Sequence, residues 1–174
     1  MSNEVVATTE EVNEVEAFIE VLRNEPAFDE ALSKLSLPIK RSLVPRLGQI
    51  VTDNAEDSVI RVKAIIALDE IGDEAARPFL AQALHSADDS VIQSQSLSVL
   101  GERWPLLSTD DFLQALTKDH LQEAAYHGLG TAVSVMIDNL EDEDPVLRGQ
   151  AGTLLGKINV DKLGKILATH RRIP

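Results

Sequence analysis

Apolar residues recur along this chain at steps of three and four, in one segment after another, with short polar turns between. That period places them on one face of a helix, so the pattern predicts helices throughout. From Glu11 to Leu22 the residues Val12, Val15, Phe18, Ile19 and Leu22 define an amphipathic helix with an acidic outer face. Its Glu-rich start suits the positive end of the helix dipole. A short helix follows Asn24-Glu25-Pro26 to about Ser36, with Phe28, Leu32 and Leu35 on one side. Helices then come in pairs: 38–53 with 57–72, 74–86 with 89–103, about 110–118 with 119–130, and 131–140 with 144–158. A further helix is expected from about Asp161 to His170.

The second helices repeat one another. Asp57-Ser58-Val59-Ile60-Arg61 returns as Asp89-Ser90-Val91-Ile92-Gln93 and as Asp144-Pro145-Val146-Leu147-Arg148. Aligned by position, Ile60, Ile92, Leu121 and Leu147 are followed four residues on by Ala64, Ser96, Ala125 and Ala151, and four further by Leu68, Leu100, Leu129 and Leu155. Each large-small-large triplet forms one stripe whose small centre lets a neighbouring helix come close. Asp57, Asp89 and Asp144 stand where an N-cap carboxylate would accept free N–H groups, and Pro145 stands where a missing N–H costs little. Successive copies lie 32, 29 and 26 residues apart, so the array is degenerate.

With one Trp, one Tyr and four Phe, the core must be aliphatic, which favours an all-α fold. The absence of Cys excludes disulfides, thiolate metal sites and a cysteine nucleophile. The net charge of −13 is uneven: residues 1–30 carry nine acids against Arg23, and residues 157–174 carry five Lys/Arg against Asp161. Such a surface repels phosphate backbones, so no nucleic-acid partner is expected and a basic patch on another protein is favoured. The first residues lack a basic region followed by an apolar run, and no stretch reaches the length of a membrane span; no membrane contact and a cytoplasmic location are expected.

The Asp before the helix, then a branched apolar residue, Arg, a small residue three on and Leu four after that, resembles the HEAT family, in particular its short bacterial form also seen in phycobilin lyases. Ile60-Arg61, Ala64 and Leu68 carry the resemblance best, then Leu147-Arg148, Ala151 and Leu155-Gly156. Pro45 and Pro78 match the proline that the family places inside its first helix; Gln93, Gln122 and Ser96 depart from its pattern. The resemblance implies an α-solenoid of about four helix pairs over residues 37–158. A mobile tail (1–9) and acidic capping helices (10–36) would precede the array, and a basic helix and tail (159–174) would follow it.

It also implies a non-enzymatic protein-interaction module whose second helices line a concave face. The exposed row there would be Val62, Ile66 and Glu70; Ser94, Ser98 and Glu102; Glu123, His127 and Thr131; Gly149, Thr153 and Lys157. Val62 and Ile66 would either seat an apolar anchor of a partner or lie under the N-terminal helices. Glu70, Glu102 and Glu123 would attract a basic segment or stand as a solvated face.

His120, Glu123 and His127 are the one constellation resembling a metal or acid–base site, since offsets of three and seven share a helix face. One helix supplies no more ligands, so polar groove residues are the better reading, with no metal, cofactor or catalytic residue assigned. Enzymatic alternatives are a phycobilin-lyase-like protein or a metal-dependent hydroxylase, although the chain lacks the His-Glu dipeptides of the latter. A structural subunit is the third reading. Glu141-Asp142-Glu143-Asp144 reads as a solvated turn, Trp104 as a packing plug, and Gly128-Leu129-Gly130 as close packing with helix termination.

Overall fold

A computed structural model describes residues 9–25 and 27–158; of the expected tail (1–9) only Thr9 is described, as the first residue of the first helix, and the rest of it and the basic C-terminal helix lie outside the described residues. Within them there are nine α-helices, two 3-10 turns and no strand. The chain divides into two compact units at Phe79/Leu80, each with its own core.

In the first unit, α1 (Thr9–Asn24) and the short α2 (Phe28–Ser33) precede the pair α3 (Leu37–Thr52) and α4 (Ser58–Ile71). Val15, Phe18, Ile19 and Leu22 of α1 are buried as their spacing predicts, whereas Val12 in the first turn remains half-exposed. Leu43, Leu47, Ile50 and Val51 of α3 face Ala64, Ile65 and Leu68 of α4, and packing between these two helices dominates the unit. Gly48 makes that core compact, because a Cβ there would stand inside the ring of Phe79. Gly72 ends α4 at φ 64°, a left-handed conformation that glycine adopts without steric cost.

The joint between α3 and α4 shows how the repeated residues work. Asp57 accepts the Val59 N–H at 2.8 Å and so caps α4. Arg61, 1% exposed, donates Nε to the Val51 carbonyl at 3.1 Å and Nη2 to Asn54 Oδ1 at 3.0 Å. One side chain thus satisfies a carbonyl left over at the end of α3 and pins the turn that follows. The same device recurs in the second unit. Asp89 and Asp144 cap their helices through Val91 and Val146, at 2.7 and 2.8 Å. Gln93 donates Nε2 to the Ala87 carbonyl at 2.6 Å, and Arg148 donates Nη1 to the Asp142 and Glu143 carbonyls at 2.7 and 2.8 Å. The fourth aligned position, Gln122, reaches only Asp119 Oδ1 at 3.2 Å within its own turn.

A 3-10 turn (Glu74–Ala76) runs into α5 (Arg77–Ser86), across the division between the units. Pro78 therefore falls at that joint, in the first turn of α5, where a missing N–H costs little. Pro45, by contrast, lies inside α3 as expected.

The second unit holds α6 (Ser90–Arg103), α7 (Thr109–Ala115), a second 3-10 turn (Asp119–Leu121), α8 (Gln122–Leu140) and α9 (Pro145–Gly156). The expected break at Gly128-Leu129-Gly130 does not occur: the third second-helix and the fourth first-helix are one continuous α8. Ala125, Leu129, Ala132, Val133 and Met136 are all buried at helical spacing across the glycines, so a single stripe holds both halves in one register. The glycines serve close packing instead. A Cβ on Gly128 would lie 2.9 Å from Phe112 Cε1, and one on Gly101 of α6 would lie 3.3 Å from the Gly128 Cα. Trp104, half-buried, caps α6 through its N–H to the Leu100 carbonyl at 3.1 Å.

Candidate functional site

The expected interaction row is best formed on α4. Val62, Ile66 and Glu70 are four residues apart and share a stripe; Val62 is half-buried, Ile66 is 44% exposed and Glu70 is exposed. The N-terminal helices reach this helix without covering it. Lys63 Nζ donates to the Leu22 and Glu25 carbonyls at 2.9 and 3.1 Å, and lies 5.9 Å from the centre of the Phe28 ring. Arg23 adds an ion pair to Glu56 at 2.6 Å and Arg46 one to Glu16 at 3.4 Å. The described N-terminal helices therefore leave Ile66 exposed and Val62 half-buried. A cleft of about 210 Å³ lies between α1 and α2, lined by Phe18, Val21 and Leu35 among others.

In the second unit the row is more polar and partly engaged with itself. Ser94 is half-buried, while Ser98 donates to Glu102 Oε1 at 3.1 Å along α6. Glu123 is exposed and His127 half-buried on α8. His120 does not share their helix face, because it lies in the 3-10 turn before α8 begins. Its Nε2 stands 2.7 Å from Gln93 Oε1. Since the Gln93 amide nitrogen already donates to the Ala87 carbonyl, Oε1 is the acceptor and His120 carries its proton on Nε2. That nitrogen is occupied by a structural hydrogen bond. Among the described residues no three His, Asp or Glu side chains converge as a metal site.

Gly149 and Thr153, the row positions on α9, open onto a feature the periodicity did not predict. A groove of about 800 Å³ runs along α9, between it, the Leu106–Asp110 segment and the end of α8. Leu107 and Val146 face it at 50% and 61% exposure, over a floor that includes Leu106, Ala151 and Leu154. Across one end, Lys157 Nζ meets both carboxylate oxygens of Asp110 at 3.0 and 2.8 Å. The sequence signal was the Leu106-Leu107 pair in the short 104–108 connection, which reads as linker until α7 and α9 are seen to flank it.

Two further contacts tie the unit together. His85 Nε2 lies 3.0 Å from Asp111 Oδ1, and Lys118 Nζ donates to the Leu84 carbonyl at 3.1 Å. No described helix is long and apolar enough to cross a membrane.

HEAT repeats match the chain over residues 15–101, from the second turn of α1 to the end of α6. No curated protein matches it. The match covers the two Asp-capped joints at Asp57 and Asp89 whose reach-back side chains, Arg61 and Gln93, tie each second helix to the end of its first. All-helical over its described residues, with α3 packed on α4 in the first unit and α8 packed on α6, α7 and α9 in the second, this chain belongs to the HEAT-repeat family.

Proposed function

We propose that this chain is a non-catalytic protein-interaction module that engages its partner through the outer stripe of α4. HEAT repeats commonly mediate protein contacts, and the observation that carries the reading here is the setting of Ile66. It is 44% exposed on a helix whose remaining faces are filled by Arg61, Ala64, Ile65, Ala67 and Leu68. A large aliphatic side chain on so well supported a helix can be buried by a partner at little cost in ordering. Half-buried Val62 and exposed Glu70 extend the stripe by one turn to each side. Glu70 adds selectivity for a basic contact at the rim, where charge governs partner choice and encounter rate more than affinity. Adaptor or assembly roles follow from this reading, and no side chain is assigned a catalytic part.

Ile66→Asp combined with Glu70→Lys, introduced into the full chain, tests it. Both residues are exposed, so helix content and melting should stay near those of the parent. The protein that co-purifies with the parent from its own cells should be lost. Equal recovery by the variant would overturn the assignment to α4.

A further inference from the structure

We propose that the groove along α9 is a second docking site, distinct from α4, and that its occupant is a short basic amphipathic helix of a partner protein. The stretch of α9 that lines it runs from Pro145 to Leu154, which at 1.5 Å per residue is roughly 14 Å, or two to three turns. A helix lying along that wall presents side chains at i, i+4 and i+7, and the apolar positions that would receive them are Val146, Leu107 and the Ala151–Leu154 floor. Polar Asn139, Gln150 and Thr153 stand at the edge, while Thr109, whose hydroxyl donates to the Leu106 carbonyl, is buried beneath; the result is the apolar-centre, polar-edge arrangement of a protein interface.

Gly149 lies in the middle of this wall, with nothing within 4 Å of where its Cβ would be. Glycine inside a helix costs about 1 kcal/mol relative to alanine. Within the described residues that cost has no packing return at Gly149; against a docked helix it permits close approach of the two backbones.

Charge names the sign of the occupant. Asn139 and Pro145 mark one end of the groove, and between and beside them stand Asp138, Glu141, Asp142, Glu143 and Asp144. Arg148, the cation nearest in sequence, is turned onto the Asp142 and Glu143 carbonyls, and offsets part of that charge. At the other end Asp110 is neutralised by Lys157. The carboxylates from Asp138 to Asp144 flank the groove rather than line it, and Asp142 and Asp144 also accept backbone N–H groups, as carboxylates do without losing their charge. The groove thus has an acidic turn beside its α8–α9 end and is close to neutral at the other, and it suits a helix with Lys or Arg concentrated at one end of its apolar stripe.

Fluorescence anisotropy of the full chain with three labelled peptides of about twelve residues tests this. The first carries Leu at i, i+4 and i+7 with Lys and Arg clustered at one end; the second is its scramble, equal in charge; the third has Glu in place of the basic residues. The first should bind at least about tenfold more tightly than the others, and Val146→Asp or Leu107→Asp should each weaken it by about tenfold or more. Its binding should fall as salt is raised, while Ile66→Asp should leave it unchanged. Equal binding of the scrambled peptide, no binding of any, or indifference to Val146→Asp would overturn the proposal. So would a concentration-dependent dimer abolished by Val146→Asp, which gives the groove to a second copy. Tighter peptide binding by a Leu163→Asp chain would give it to the chain's own last segment and overturn the proposal equally. Loss of binding in Ile66→Asp would merge this site with α4, whereas loss of the cellular partner with intact peptide binding separates the two.

Discussion

Helices α4 and α9 carry the same motif, Asp at the cap, a branched residue and Arg in the first turn, Ala three on and Leu four after that, yet they settle differently. In α4 the Arg, the Ala and the Leu are all buried, together with Ile65 and Ala67. In α9 only Ala151 is buried; Leu147 and Leu155 are half-exposed and Arg148 stands in solvent. The caps are nevertheless the same to within 0.1 Å, and both arginines reach back to carbonyls at the end of the preceding helix or turn. Local features of the motif therefore operate in both places, because capping needs only neighbours in sequence. Burial needs neighbours in space. α4 packs on α3 and receives α1 as well, whereas α9 rests chiefly on α8, and the flank left open becomes the groove.

The sharpest way to break this comparison is to shorten the equivalent leucines. Leu68→Ala should cost about 3–5 kcal/mol and Leu155→Ala no more than about 1–2, read from urea unfolding followed by circular dichroism. Equal losses would mean that α9 is as firmly packed as α4. The arginines come next. Arg61→Ala strands the Val51 carbonyl and removes a buried stem, so a loss of about 2–4 kcal/mol is expected. Arg148→Ala, whose carbonyl partners are exposed to water, should cost less than about 1 kcal/mol in the same measurement. The smallest effect has the opposite sign. Gly152 in α9 has nothing within 4 Å of a would-be Cβ, so Gly152→Ala should stabilise by about 0.5–1 kcal/mol. For a chain of this length that raises the melting temperature by about 2–4 °C per kcal/mol. A drop instead would show that α9 is closely packed at that face.

Much of the fold was legible because it rests on short-range rules. The period of three and four located the helices, and the Asp-x-Val signature located three N-caps, each observed with its hydrogen bond. The stripe built on Ala64, Ser96, Ala125 and Ala151 is buried at every one of its small centres. Less was legible where the next step depended on a partner side chain. Gly128-Leu129-Gly130 carried the composition of a helix end, yet Phe112 and Gly101 require a small residue there and the helix runs on. His120, Glu123 and His127 had a helical offset that failed because the first turn is 3-10 and Gln93, distant in sequence, claims the histidine.

The same division holds for the candidate surfaces. Ile66 could be placed on the outer stripe of α4 from its spacing, but whether α1 and α2 would cover it depended on where Lys63 anchors them. The groove is further from the sequence still. Leu106 and Leu107, Asn139, and Val146 with Leu154 belong to three segments, each unremarkable alone, that become one apolar concavity only when α7, α8 and α9 come together. Helix identity, capping and the buried stripe follow from residues within about a turn of one another, where the chain's own geometry sets the distances. Continuity of α8, the isolation of His120 and the open flank of α9 were decided by tertiary packing, since each depends on which distant side chain fills, or leaves empty, the space beside a helix.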